Sequence, residues 1–255
     1  MLVLPLLAAL IAVACGDDDD GDPPEAGATA GVERELQEDT PLARAVASAP
    51  ARLNTLPSYR YRSELEVSLP EARSELGAQA GRAEAEGEAI PPGRIRQATT
   101  LTVGSLTVEE HLLRIPEGEF VDRGAGYEPG LGELDTIALS VPVLWEAMTG
   151  LRDRLPSEVT AEGDHVDGVE ATHYVLDQVR LLFPKDLALR MFGAVESADA
   201  LPEEYRLEFW VANESELLLR LLIEGQADDG QGMINSFRLD TAISDIGEEL
   251  DIDLP

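Results

Sequence analysis

Tyr205-Arg206-Leu207-Glu208-Phe209-Trp210-Val211, then Asn213-Glu214-Ser215, then Glu216–Gln226 is the stretch that decides the fold. In the first limb Tyr205, Leu207, Phe209 and Val211 alternate with Arg206, Glu208 and Trp210, the period of a half-buried strand. The central triplet is a turn. The second limb carries Leu217, Leu219, Leu221 and Ile223 on one side, with Leu218 and Leu222 on the other. A strand apolar on both sides is covered on both faces. The unit therefore predicts an antiparallel hairpin inside a larger sheet, with further structure laid over it.

The same period governs most of the chain. From Ser58 onward, Tyr59, Tyr61, Leu65, Val67 and Leu69 alternate with Arg60, Arg62, Glu64, Glu66 and Ser68. Residues 82–89 set Ala83, Ala85, Gly87 and Ala89 against Arg82, Glu84, Glu86 and Glu88. So small a face predicts either close packing by a neighbour or a weak edge strand. Ile95–Val103, Leu106–Ile115, Glu119–Arg123, Met233–Ile246 and Leu250–Leu254 read as further strands. Val159–Val166 and Val169–Arg180 form a hairpin across Asp167-Gly168, a strong turn dipeptide. Three helices interrupt the strands. Pro41–Leu56 is capped by Thr40 and carries Leu42, Val46 and Leu53 on one side. Ser140–Leu155, with Ser140 as its cap, places Leu144, Met148, Leu151 and Leu155 at helical spacing beside Trp145. Pro184–Val195 turns Leu187, Met191 and Phe192 inward. The fold class is α+β: an antiparallel sheet with helices against one face.

Several of these stretches resemble a known family. Val166-Asp167-Gly168-Val169-Glu170-Ala171-Thr172-His173-Tyr174 is similar to a recurrent stretch of the LppX/LprG-type lipoproteins, within the wider LolA-like group. So are Pro91-Pro92-Gly93-Arg94-Ile95-Arg96, Leu207-Glu208-Phe209-Trp210-Val211 with its leucine-rich return, and the ending Ser244-Asp245-Ile246…Ile252-Asp253-Leu254-Pro255. The resemblance covers residues 42–255 as a single domain. It implies a strongly curved antiparallel half-barrel whose concave face is closed by helices, with an apolar cavity for acyl chains between them. By periodicity alone Trp145, Met148 and Leu151 are ordinary helix-to-sheet core. The resemblance implies that their layer borders the cavity, and Leu144, Trp145, Met148, Leu151, Leu187 and Met191 are its candidate lining.

The N-terminus has its own logic. An uninterrupted apolar run, Leu2–Ala14, ends at Cys15, and Asp17–Asp20 follow at once. As a helix the run is only about 20 Å long, against roughly 30 Å of bilayer hydrocarbon. Ala12-Val13-Ala14-Cys15 resembles the lipobox of a bacterial lipoprotein, with a small-residue cleavage site before the cysteine. Ala12 stands where most lipoboxes carry Leu, and residues 1–15 contain no Lys or Arg. The alternatives are an uncleaved anchor or a buried core helix. The favoured reading makes 1–14 a signal peptide, Cys15 the lipidated residue, and 15–41 an acidic disordered tether. The expected location is the extracytoplasmic side of the cell envelope, held to the membrane by acyl chains on Cys15. Asp17–Asp22 fails the calcium-loop pattern, since taking Gly21 as its glycine puts Gly16 at the first ligand position.

Charge and missing motifs exclude other classes. There are 50 acidic against 19 basic residues, a net −31. Such a surface repels nucleic acid and anionic headgroups alike. His111, His165 and His173 lack metal-ligand spacing, and the single cysteine is committed to the anchor. Gly104-Ser105 lacks the glycine a nucleophile elbow needs, and no phosphate loop or dinucleotide fingerprint occurs. His173 reads as a packed or hydrogen-bonded residue. The sequence thus predicts no catalytic group, no metal and no cofactor, and it specifies no partner protein. Two functions remain: a lipoprotein that binds or carries a lipid or other apolar molecule, or a non-enzymatic surface, sensor or structural lipoprotein with a filled core.

Replacing Cys15 with Ser is expected to leave a precursor that incorporates no labelled palmitate. Equal labelling of the variant contradicts the lipidation site.

Overall fold

The computed structural model describes residues 40–69, 79–134, 140–151, 155, 159–192, 201–228 and 234–253. The apolar run, Cys15 and nearly all of the tether lie outside these residues. The strands are β1 (Tyr59–Leu69), β2 (Gln79–Ile90), β3 (Arg94–Val103), β4 (Leu106–Ile115), β5 (Gly118–Asp122), β6 (Glu128–Pro129), β7 (Thr160–Val166), β8 (Val169–Arg180), β9 (Glu204–Ala212), β10 (Leu218–Asp228) and β11 (Ile234–Ser244). They form one antiparallel sheet in the order β6-β5-β4-β3-β2-β1-β11-β10-β9-β8-β7. Among the described residues its two ends, β6 and β7, do not pair. The helices are α1 (Pro41–Leu53), α2 (Val141–Thr149) and α3 (Phe183–Phe192).

Register sorts the side chains into two faces. One row crosses the sheet as Thr99, Ala85, Ser63, Thr241, Leu221 and Phe209. All six are buried. The rows on either side, through Leu65 and Leu239 and through Tyr61 and Ile243, are buried too. This inner face and the apolar sides of all three helices make one continuous core. On the other face arginines and carboxylates alternate across strands. On β10 the inward Leu219, Leu221 and Ile223 are buried. The expected second apolar face is reduced to Leu222, since a bulge pairs Leu218 with inward-facing Val211 and leaves Arg220 and Glu224 half-buried on the outer side.

The sheet is curved, and the path of α3 follows the bend. This helix leaves β8 yet touches β2. Those strands are five intervals apart in the sheet order, about 24 Å on a flat sheet. A ten-residue helix is only about 15 Å long. The sheet bends round the helix layer, the half-barrel with helices on its concave side. Helices α1 and α2 pack on each other, α1 over β10 and α2 over β11. Arg44 and Arg52 of α1 both grip Glu216 in the β9–β10 turn, at 2.9 and 2.6 Å.

Several expectations need correction. The 82–89 stretch is no edge: it lies in β2, between β1 and β3. Its small face is the alternative reading, close approach, since a Cβ on Gly87 would collide with the Tyr61 ring. The first helix stops at Leu53 rather than Leu56, and the second at Thr149 rather than Leu155, with Gly150 as its C-cap. Leu56 and Leu155 still pack on the core, so the apolar pattern outruns the helices. Ser140 holds the cap position of α2 without a side-chain cap bond, whereas Thr40 caps α1 through Ala43 N at 3.2 Å. The end of the third helix beyond Phe192 lies outside the described residues. Leu250–Leu254 does not form the expected closing strand over its described part, residues 250–253. Instead Ile252 is buried against Leu113 and Ile115 on the outer face, and Arg94 Nη1 holds its carbonyl at 3.0 Å. Side-chain packing and the Arg94 contacts, not a hydrogen-bond ladder, fix that tail. The two-residue strand β6 was not anticipated.

Candidate functional site

The candidate site is the space between the inner sheet face and the helices. Leu144, Trp145 and Met148 come from α2, Leu151 from just beyond it, and Leu187 and Met191 from α3. The fold brings all six into the same core. Leu144 and Trp145 are 0% exposed and Met148 1%. No water-sized space therefore touches these three side chains as the protein stands. Close packing of this wall is common to a filled core and to a ligand chamber closed in the empty state.

Two buried donors in this interior are not satisfied among the described residues. Trp145 Nε1 and the Tyr205 hydroxyl are buried with no hydrogen-bond partner. An orphaned buried donor costs about 1–3 kcal/mol, and native proteins contain few of them. Tyr205 stands edge-on to Phe237 at 5.7 Å, and its ring fills the place of a side chain at Gly225. Burial alone pushes the Tyr205 phenol well above its ordinary value.

Sequence reasoning missed a polar belt on the same face. Tyr61 donates to Gln97, Gln97 Nε2 donates to Thr99 Oγ1 at 2.9 Å, and Thr241 Oγ1 bonds Ser63 Oγ at 3.1 Å. Ser63, Gln97, Thr99 and Thr241 are all buried. The signal was present: Ser63 interrupts the alternation between Tyr61 and Leu65 at an inward position. Hydroxyls that have made one bond retain lone pairs for another, so the belt can accept bonds as well as close on itself.

The described grooves lie elsewhere. One of about 670 Å³ on the outer face is walled by Glu66, Arg82, Arg206, Glu224 and Arg238. A second, about 530 Å³, runs among Arg60, Arg62, Glu86, Glu88 and Arg96. A third, about 370 Å³, opens between α1 and α2 over Pro50, Leu53, Pro142 and Val143. None of the six candidate wall residues lines any of these three.

The outer face also explains His173, which is hydrogen-bonded and packed as expected. It stacks on Trp210 with centroids 4.3 Å apart and planes 8° apart. Arg220 covers the same indole at 4.6 Å. The three are neighbours in register across β8, β9 and β10. His173 Nε2 lies 2.7 Å from Glu208 and Nδ1 3.3 Å from Glu162. Trp210 Nε1 donates to Asp164 at 2.8 Å, and His165 N donates to the other oxygen at 2.7 Å. Those bonds, the indole's first, hold the Asp164 carboxyl below its ordinary value. At Glu208 burial pushes upward, but bonds from Arg206 and His173 outweigh it and the net shift is downward. No nucleophile lies in this cluster, which is a clasp between strands.

The comparisons with known proteins are as follows. No family model matches the chain, and no curated protein matches it. Among solved structures the chain is similar to LprF from Mycobacterium bovis, at 14% identity over 84% of this chain and 96% of that one, with a TM-score of 0.44. It is also similar to a putative outer membrane lipoprotein-sorting protein domain from Vibrio parahaemolyticus, at 8% identity, 82% and 93% coverage and a TM-score of 0.22. A third is a β-barrel-like protein of unknown function from Brucella abortus, at 11% identity, 77% and 99% coverage and a TM-score of 0.19.

A pH prediction follows from the clasp. Both carboxyls titrate lower when folded than when unfolded, so the unfolded chain binds more protons on acidification. Their stabilisation is present above the ordinary carboxylate range and is lost as pH falls through their depressed values. Urea midpoints measured between about pH 3 and 7 are expected to fall on the acid side. Asp164→Asn and Trp210→Phe should each flatten that fall, and the double variant no more than either alone. An unchanged acid slope in Trp210→Phe contradicts the clasp.

Proposed function

We propose that this protein is a lipid-anchored envelope lipoprotein whose domain binds an apolar, acyl-chain-bearing molecule between the curved sheet and its helices. The observation that carries the reading is the pair of orphaned donors, Trp145 Nε1 and Tyr205 OH, in a largely apolar interior. An amphiphile with hydrogen-bond acceptors answers both needs: its chains occupy apolar space, and its acceptors satisfy the stranded donors. Burial of each methylene contributes roughly 0.8 kcal/mol, so no catalytic group is required and the protein is read as non-enzymatic. The interior is closed when empty, and the groove between α1 and α2 is the proposed way in. Acyl chains on Cys15 hold the domain to the membrane, on the extracytoplasmic side.

The second reading keeps the anchor and gives the domain a permanently filled core, as a surface, sensor or structural module. The tight burial of Leu144, Trp145 and Met148 favours it. Native mass spectrometry of the full chain, extracted from its own membrane in mild detergent, separates the two. Binding predicts an adduct of apolar mass that organic solvent strips off, and a melting temperature that rises when the stripped protein is reloaded. A protein that never carries such an adduct, and whose melting ignores added lipid, contradicts binding and leaves the filled core.

A further inference from the structure

The two ends of the sheet are finished differently. At one end β6 is two residues long and contains Pro129, which has no N–H to offer. At the other, β7 runs for seven residues, and Thr160 to His165 are all exposed. The turn joining β7 to β8 has positive φ at both Asp167 and Gly168, the type I′ geometry. Val166 and Val169 therefore form the hydrogen-bonded pair that closes the turn. By alternation Thr160, Glu162 and Asp164 bond to β8, while the backbones of Ala161, Gly163 and His165 face outward. The His165 N–H is taken by Asp164, which agrees with this phase. At Gly163, mid-edge, an added Cβ would meet nothing within 4 Å. A glycine there lets a second backbone approach.

We propose that β7 is a docking edge for an extended, lysine- or arginine-bearing segment of another protein, added as a twelfth strand. Charge decides the occupant. From Leu155 to Val179 the chain has six acidic residues, Glu158, Glu162, Asp164, Asp167, Glu170 and Asp177, and no Lys or Arg. On the edge itself, Glu162 and Asp164 stand on one face, two residues apart. Already bonded to His173 and to Trp210 and the His165 N–H, each carboxylate keeps lone pairs for alternate basic side chains on an added strand. A second copy is a poor occupant. Antiparallel pairing of two β7 edges about Gly163 sets Glu162 of each copy against Asp164 of the other, and like charges directly opposite destabilise a sheet. The outward donors at Ala161 and Gly163, with three outward carbonyls, match a partner of about five residues. This docking is independent of the ligand between sheet and helices.

The test uses the full chain in mild detergent and capped five-residue peptides alternating lysine and valine. Backbone amide shifts should move at Ala161 and Gly163, and binding should weaken as salt rises. Methylating the peptide's backbone nitrogens that face β7, or substituting Gly163→Pro, should each weaken binding about tenfold or more. Pro is tolerated at an outward edge position, and an unchanged melting temperature confirms that the variant is folded. A glutamate–valine peptide should not bind. Equal binding of the methylated peptide, shifts confined to the outer sheet face, or self-association through β7 in sedimentation would each overturn the proposal.

Discussion

The register of β1 against β2 and β11 is the constraint from which the rest follows. Side chains alternate with a period of two, so a slip by one residue would turn every inward row outward. As paired, Ser63 meets Ala85 and Thr241, and Leu65 meets Ala83 and Leu239. Slipped by one residue, β1 would turn Arg60, Arg62, Glu64 and Glu66 under the helices. Burying such charges unpaired is prohibitive. The small residues of β2 make room for Tyr61, and Gly225 makes room for Tyr205, so bulky rings from one strand occupy the places left by the next.

The same alternation gives the protein two unlike faces. Outside, Arg60 links Glu88 to Glu248, Arg82 links Glu64 to Glu84, and Arg238 links Glu224 to Asp240. Exposed pairs of this kind contribute little each. Their consequence here is distribution: Arg60, Arg82, Arg96, Arg206, Arg220 and Arg238 lie on this face, each beside carboxylates. That leaves the excess negative charge to other parts of the chain, the β7–β8 hairpin among them. Inside, polarity is sparse and mostly paired, which is why the two orphaned groups stand out.

Strand existence was readable because alternation is imposed by burial on one face, and the hairpin at Asp167-Gly168 because its turn needs positive φ at both positions. Helix ends were not. Leu151 and Leu155 keep helical spacing after α2 has stopped at Gly150, since side chains in the following turn can still reach the core. The closing strand failed for a similar reason: Ile252 is apolar because it packs on Leu113, not because it pairs. Within the candidate site, the fold places the six apolar residues in one core, and periodicity does not distinguish a wall from a core. The polar belt went unread because single hydroxyls at inward positions look like noise in an alternating pattern. Trp145 was visible by spacing, but its unsatisfied N–H is a property of its surroundings alone.

Those surroundings allow a direct test. The chain has two tryptophans, and Trp210, bonded to Asp164 on the outer face, is an internal reference for Trp145. Indole N–H resonances of nitrogen-15-labelled protein, stripped of lipid and then loaded with a diacylated amphiphile, report the two separately. Ligand binding in the interior predicts that the Trp145 signal of the stripped protein lies at the position of an unbonded indole and moves downfield on loading, while Trp210 stays fixed. A Trp145 signal unchanged by bound lipid would contradict the account.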